Sequence, residues 1–480
     1  MNYGQFLNMI PEFYLVIILI IVFAVDFFMH KSEKKHDVLF AVTLGLTIIL
    51  PVRIALLGEP AEAFGGIYVT SQIANVMKVI LTVGTAIVLI MSQAWLKTNS
   101  RYEGEYYMLI LSTLLGMYMM LSSGSFLMFF LGLEMASVPM ACLVAFDKKK
   151  KDSAEAAAKY VLMATFSSGV MLFGISFIYA ATGSLYFDNV ADVIKASPIA
   201  IMGMVFFFSG LGFKISLVPF HFWTADTYQG APTPVTGYLS VVSKGAATLT
   251  LAIILVKVFG SMIAWWQPML WVVIMLTITI GNLMAIRQTE LKRFMAFSSI
   301  SQAGYIMLAV IGADPATSQT ALTFYVLVYV VANMSVFSVI SAVEHRAGAG
   351  TKMSAYNGLY QTNPKLAFIM TIALFSLAGI PPFAGMFSKF FVFMAGVAGQ
   401  DQAPFWPYFV VFIALVNTVI SLYYYLLIVK AMYITKEDHP LPTFRHGTAI
   451  NAALAICTVG IVLFGVCSCI YEWIAQAAGM

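Results

Sequence analysis

Charge is scarce in this sequence. Lys, Arg, Asp and Glu make up 10% of its 480 residues, where a soluble domain is about a quarter charged. That shortage excludes a soluble core of this size and leaves a polytopic membrane protein. Cysteine is scarce too. Cys142, Cys457, Cys467 and Cys469 form no C-x-x-C pair and no iron–sulfur ligand run, and the last two read as packing residues of the final apolar stretch. A dinucleotide-binding glycine fingerprint and a flavin motif are missing, so no cofactor, metal or redox centre is expected in this chain. The first thirty residues lack a basic n-region and a small-residue cleavage site; a retained helix, not a signal peptide, is expected there. What is plentiful is apolar, at 61% of residues. The 29 methionines read as gap fillers between helices, not as copper ligands.

A helix needs about 20 apolar residues to cross the hydrocarbon. Fourteen stretches are read as spans: 11–29, 38–57, 73–95, 106–122, 125–146, 156–181, 199–229, 234–258, 266–286, 292–312, 317–343, 365–397, 405–432 and 449–472. Backbone in lipid must satisfy its own hydrogen bonds, so these are expected as helices in an all-α polytopic fold. Residues 1–480 are read as one integral membrane domain: three N-terminal helices (1–105), a first repeat (106–258), a second repeat (266–432) and a C-terminal helix (433–480).

Basic residues mark the inner side. The loops after spans 1, 3, 5, 9, 11 and 13 hold Lys31, Lys34, Lys35, Lys97, Arg101, Lys148 to Lys151, Arg287, Lys292, Arg293, Arg346, Lys352, Lys365, Lys436 and Arg445. The alternate loops hold only Arg53, Lys195 and Lys257, and are acidic at Glu59, Glu62, Asp188, Asp192, Asp314 and Asp401. This asymmetry places the basic loops in the cytoplasm and both termini outside. Spans 7 and 12 are too long for one crossing, and each carries a breaker: Pro219 in the first, Pro381 and Pro382 within "GIPPFAG" (379–385) in the second. Five spans separate them. Matched broken helices point to two inverted five-helix repeats, spans 4–8 and 9–13. "FFSGLG" (207–212) and "LFSLAG" (374–379) echo one another.

Four ionisable residues fall at mid-depth: Glu134, Lys214, Lys244 and Lys389. An unpaired charge there costs about 2.5–3.5 kcal/mol on insertion scales. Such residues face a wet interior, pair with one another and mark an ion path; the alternative is a structural ion pair or a side chain snorkelling to the interface. Burial disfavours the charged form of an amine and a nearby carboxylate restores it, so making or breaking a Glu134–Lys214 contact would load or release a proton. Lys244 would receive it and Lys389 pass it on. His221, the only histidine away from loops and chain ends, has the chemistry of a relay; the plainer reading is a space-filling core histidine. Lys159, which opens span 6, and Gln302 in span 10 are read as auxiliary groups. Lys78 and Lys430 read as snorkelling residues near span ends, and Asp26 as interfacial. The breaks at Pro219 and at Pro381–Pro382 free backbone carbonyls, for which a wet pocket beside Lys214 and Lys389 is expected.

"FKISLVPFHFWTADTYQGAPTPVTGYLSVVSKGAA" (213–247), "LKRFMAFSSISQAGYIMLA" (291–309) and "FSLAGIPPFAGMFSKF" (375–390) resemble the antiporter-like subunits of bacterial respiratory complex I, the NADH-quinone oxidoreductase. "YQGAPTPVT" (228–236) and "SKGAA" (243–247) are similar to its N branch more than to M or L. The resemblance covers nearly the whole chain. It implies a proton-translocating membrane subunit driven by quinone reduction elsewhere in the complex. Glu134 and Lys214 would be the modulating pair, Lys244 the central carrier, Lys389 the exit-side lysine and His221 a connector. It further implies flavin and iron–sulfur clusters in partner subunits, NADH and quinone used by the complex and not bound here, neighbours of the M and K/J type, a bacterial inner membrane, and no nucleic acid. Two positions depart from the family pattern: Ala225 stands where proline is usual, and Gln302 where N subunits often have histidine. A multisubunit sodium/proton antiporter is the alternative assignment, and a purely structural scaffold a third.

Overall fold

Backbone that cannot reach water closes its hydrogen bonds within a segment, and helix dominates this chain from end to end. The structure, a computed structural model, describes residues 3–99, 102–312, 314–347, 350–399, 405–437, 441–445, 447–467 and 469–480. Arg101, Asp401 and Ser468, the last within stretch 449–472, lie outside the described residues, as does the side chain of Arg346. In chain order the helices are α1 (Ile10–Phe28), α2 (Lys35–Leu57), α3 (Gln72–Asn99), α4 (Glu103–Leu121), α5 (Phe126–Val144), α6 (Lys151–Thr182), α7 (Phe187–Val193), α8 (Pro198–Ile215), α9 (Trp223–Gly230), α10 (Thr233–Tyr238), α11 (Lys244–Lys257), α12 (Ile263–Ile286), α13 (Leu291–Leu308), α14 (Pro315–Ala347), α15 (Leu359–Thr362), α16 (Pro364–Ala378), α17 (Ala384–Val397), α18 (Phe405–Tyr433), α19 (Thr448–Val466) and α20 (Cys469–Ala477). Among the described residues, 12 helical runs are long and apolar enough to cross a membrane; α16 and α17 are shorter apolar helices.

The interior and the rim differ in sequence. Over its apolar window α13 is 100% buried and α14 94%, whereas α1 and α6 are only 22% buried. The rim helices carry large apolar side chains outward, such as Phe27, Phe166 and Val419. The interior helices carry small polar ones inward, such as Ser298, Ser299 and Gln302 of α13. Without a hydrophobic drive between helices in lipid, close backbone approach through small residues holds them together. Where α4 crosses α5, a Cβ on Gly116 would stand 2.6 Å from the Gly132 carbonyl oxygen. Where α6 crosses α8, a Cβ on Gly174 would stand 2.7 Å from the Gly203 carbonyl oxygen.

Two features correct the all-helix reading. Strands β1 (Ala61–Ala63) and β2 (Tyr68–Thr70) pair antiparallel between α2 and α3, with Ala63 opposite Tyr68. Their turn runs through Phe64, Gly65 and Gly66, all at positive φ, which the two glycines tolerate. The last apolar stretch is also broken. α19 stops at Val466 and α20 starts at Cys469, so half-buried Cys467 and exposed Cys469 flank the break and do not pack inside one span.

Candidate functional site

The two broken helices end alike. α8 stops at Ile215, and Ser216 takes a left-handed conformation (φ 71°). α16 stops at Ala378, and Gly379 does the same (φ 88°). After each, the next N–H reaches back five residues: Leu217 to the Gly212 carbonyl at 2.8 Å, Ile380 to the Phe375 carbonyl at 3.0 Å. This is the Schellman closure of a helix C-terminus. It aligns Ser216 with Gly379 and Gly212 with Phe375. The sequence echo had instead aligned Gly212 with Gly379, four residues off, about one helical turn. Proline follows in both, after the cis bonds Val218–Pro219 and Pro381–Pro382.

At each break one backbone group has a side-chain partner. The Val218 N–H donates to Thr277 Oγ1 of α12 at 3.0 Å. The Ala378 carbonyl accepts from Lys389 Nζ at 3.0 Å. Here the negative end of a half-helix holds the ammonium. Lys214 sits in the last turn of α8, where the same dipole favours a cation.

Lys214 is 4% exposed. Its Nζ donates to Ser137 Oγ at 2.9 Å and to Tyr160 OH at 3.3 Å. Ser137 lies one turn beyond Glu134 on α5. The hydrogen bonds described for Lys214 do not include Glu134, whose Oε1 is buried without a hydrogen-bond partner. On α5 it is Ser137, one turn from Glu134, that holds the Lys214 ammonium.

Lys244 is 1% exposed and donates to Ser299 Oγ of α13 at 2.7 Å. The ammonium also lies 5.5 Å from the Tyr228 ring centroid, a cation–π distance. Immediately before it, Leu239–Ser243 forms a π-helical turn, a widening that often marks functional positions. Tyr228 OH and Ser299 Oγ are 3.4 Å apart, while the hydroxyl of Tyr329 and Oδ1 of Asn333, both on α14, are buried without partners.

Lys389, 4% exposed, stands 4.8 Å from the Tyr305 ring centroid. It borders a small cavity with Gln302, Tyr325, Tyr329, Ser376 and Ser388, holding ≈ 10 Å³ for the centre of a water, room for about one molecule. Gln302 crosses this space. Its Nε2 donates to the Leu377 carbonyl and to Tyr425 OH, each at 3.2 Å, and its Oε1 accepts from Tyr325 OH.

His221 is 8% exposed with Nδ1 unpartnered; its ring lies tilted against that of Phe222, 4.5 Å between centroids, and Phe222 is itself exposed. No hydrogen bond described for His221 joins it to a lysine. Lys159 is paired, to Glu155 at 2.7 Å and Asp226 at 2.8 Å, and Arg293 also binds Asp226. Two lysines were misplaced. Lys78 does not snorkel: it is fully buried and bonded to Glu12 at 2.7 Å. Lys292, counted as a loop charge, is 4% exposed and donates to the Ala231 carbonyl at 2.8 Å. Asp26, read as interfacial, pairs with Lys35 at 2.8 Å. Among the described residues no three His, Cys, Asp or Glu side chains gather as a metal site would require.

Chemically, Lys214, Lys244 and Lys389 share one property: the hydrogen bonds of each go to neutral oxygens. An ammonium so held can release its proton without stranding a bonded carboxylate.

Residues 123–421 match a family model described as NADH:quinone oxidoreductase/Mrp antiporter, TM. A protein of Phocaeicola vulgatus called NADH-quinone oxidoreductase subunit N is 53% identical over 480 residues, 100% of each chain. One of the same name from Azobacteroides pseudotrichonymphae is 50% identical over 99% of this chain and 98% of its own. Among solved structures, a chain of respiratory complex I from Thermus thermophilus superposes with TM-score 0.78 at 29% identity, covering 95% of this chain and 97% of the other. A chain of the Mrp complex from Dietzia superposes with TM-score 0.85 at 21% identity over 98% and 97%, a likeness of fold alone.

Proposed function

The chain belongs to the NADH:quinone oxidoreductase/Mrp antiporter membrane family, on the subunit N branch of the NADH-quinone oxidoreductase, and from this premise we propose that it carries protons across the membrane along Glu134, Lys214, Lys244 and Lys389. It is an enzyme only as part of that complex. The supporting observation is the row of three buried ammonium groups bonded to neutral oxygens, with the Oε1 of Glu134, one turn along α5 from the first of these oxygens, left unpartnered. When Glu134 approaches Lys214, the ammonium is favoured and the proton is held. When it withdraws, the proton passes toward Tyr160 and Tyr228 and on to Lys244. Ser299 and the Tyr329 hydroxyl lead toward the Gln302 cavity. There a water oriented by Gln302 would hand the proton to Lys389. Gln302 does not titrate, so its role is to orient. His221 would exchange protons at the Pro219 break.

In this reading fourteen spans cross the membrane. Twelve are the long runs; α4 supplies another, and α16 with α17 the last. Spans 4–8 and 9–13 are inverted repeats, supported by the matched Schellman ends at Ser216 and Gly379. The subdivision 1–105, 106–258, 266–432 and 433–480 follows. The basic loops face the cytoplasm of a bacterial inner membrane and both termini face out. Neighbours would be membrane subunits of the M and K/J type, with flavin, iron–sulfur clusters, NADH and quinone in other subunits.

The test is proton uptake by inside-out vesicles carrying the whole complex. Glu134→Ala or Lys214→Ala should abolish this chain's pumping in an assembled complex; full pumping in both defeats the assignment. Co-purification of flavin and iron–sulfur subunits separates it from a redox-free sodium/proton antiporter.

A further inference from the structure

Outside the row lies a buried charge pair. Glu12 of α1 and Lys78 of α3, 66 residues apart, meet at 2.7 Å with side chains 4% and 0% exposed. Replacing such a pair with apolar residues is commonly neutral or stabilising, so a purely structural purpose explains it poorly. A structural pair would also be sealed. This one is joined to hydroxyls on two sides.

On the outward side, Tyr68 OH donates to Glu12 Oε2 at 3.1 Å, and Lys78 Nζ donates to Thr70 Oγ1 at 3.4 Å. Thr70 Oγ1 in turn donates to Asn75 Oδ1 at 3.1 Å. Tyr68, Thr70 and Asn75 all line a pocket of ≈ 240 Å³ whose rim includes Asn8, Arg53 and Glu59. Lys78 lies six residues into α3, ~9 Å along its axis from the end nearest this pocket. On the inward side, Tyr118 of α4 lies under the ammonium, 5.4 Å from ring centroid to Nζ. Its hydroxyl bonds that of Thr82. One turn further along α3, Thr85 Oγ1 donates to the Leu81 carbonyl at 2.8 Å; across from it the Tyr238 hydroxyl meets Thr113 Oγ1 of α4 at 2.8 Å. Tyr238 ends α10, directly before the π turn that leads to Lys244. The other titratable groups facing the pair are Tyr68 from β2 and Tyr118 from α4; Arg53 and Glu59 stand beyond, at the pocket.

We infer that Glu12 and Lys78 form a proton-release site on the outer side, fed from the Lys244 region through Tyr238 and, across a gap that water would bridge, through Thr82 and Tyr118. The inference rests on the proton-carrying role proposed above. The resting pair is carboxylate plus ammonium, neutral overall. An arriving proton binds the carboxylate, giving carboxyl plus ammonium. Loss of that proton to water in the pocket restores the ion pair, so charge and atoms balance in each cycle.

The experiment uses inside-out vesicles with the assembled complex and reads protons taken up per NADH oxidised. The double variant Glu12→Gln/Lys78→Met removes the site while leaving the cavity filled. Tyr118→Phe interrupts the inward link and leaves the pair intact, so it decides the matter should the double variant not assemble. Both are expected to lose part of the proton uptake per NADH. An unchanged ratio in either variant overturns the release site. A Lys214→Ala complex measured alongside separates the two claims: if it also keeps its full ratio, the proton-carrying reading itself has failed; if it alone loses pumping, only the release site is wrong.

Discussion

Replacing Lys244 by methionine separates a proton carrier from a structural cation. The side chain is 1% exposed, and its contacts are the Ser299 hydroxyl at 2.7 Å and the Tyr228 ring at 5.5 Å. Methionine keeps the length and removes the charge. A hydrogen bond to a charged group contributes about 1.5–3 kcal/mol, and a desolvated cation–π contact about 2 kcal/mol. Against these losses stands relief of the burial penalty, about 2.5–3.5 kcal/mol for a lysine at mid-membrane on insertion scales. The Ser299 hydroxyl loses its donor but still has the Tyr228 hydroxyl at 3.4 Å and the Ser240 carbonyl at 3.5 Å. The terms largely offset one another, leaving a net destabilisation between about zero and about 2.5 kcal/mol. Assembly on native gels and thermal inactivation of the complex should therefore stay close to wild type, while proton uptake per NADH falls. Normal pumping would refute a carrier role for Lys244. Loss of assembly would refute the energetic reasoning, because Lys244 would then be holding α11 against α13.

Other perturbations follow from the same geometry. Gly379→Ala puts a Cβ at φ 88° and 3.1 Å from Lys389 Cδ; a left-handed non-glycine residue costs about 1–2 kcal/mol, so thermal inactivation should come earlier and pumping should fall with it. Gly116→Val drives side chain into the Gly132 and Ala136 backbone, where even a Cβ would stand at 2.5 Å; overpacking typically costs about 1–3 kcal/mol or more, and native gels should show less assembled complex. Gln302→Leu removes donors to Leu377 and Tyr425 and the acceptor for Tyr325; pumping should drop while Gln302→His retains it, and equal activity of the leucine variant would exclude an orienting role. Asp314 caps α14, accepting from the Ala316 and Thr317 N–H groups at 3.3 and 3.2 Å, and hydrogen bonds led by the Thr317 hydroxyl hold its carboxyl below the usual range. A depressed carboxyl stabilises the fold above its unfolded pKa and loses that stabilisation as pH falls through the folded one, so Asp314→Ala should cost about 1 kcal/mol at neutral pH and less in acid, read by thermal melts at both.

The prolines and lysines were legible because their physics is local. Proline removes a helix donor and crowds the preceding turn, which α2, α5 and α12 absorb at Pro51, Pro139 and Pro268; in the two overlong runs the helix ends before Pro219 and Pro381 instead, and an ammonium inside an apolar run is conspicuous whatever its surroundings. What is not local was not legible. Lys78 looked like a residue near a span end because its partner, Glu12, sits on another helix 66 residues away. Lys292 adjoins Arg293 in a basic run, but neighbouring positions on a helix point about 100° apart: Arg293 reaches Asp226 and Lys292 turns inward to the Ala231 carbonyl. The π turn before Lys244 depends on tertiary packing and leaves no pattern in "LSVVS" (239–243). The repeat register slipped by four residues because identical letters in an apolar helix carry little information, whereas a left-handed residue and a back-reaching N–H are set by geometry. The hairpin at Ala61–Thr70 was missed because three-residue strands fall below any alternation signal.

The central claim is that protons travel between Lys214, Lys244 and Lys389 through water, and a map of the assembled complex that resolves ordered waters tests it most directly. Waters linking Tyr160 to Lys244, and Ser299 through the Gln302 cavity to Lys389, are expected. A dry, apolar gap on both sides of Lys244 in every state of the turning-over complex would contradict it.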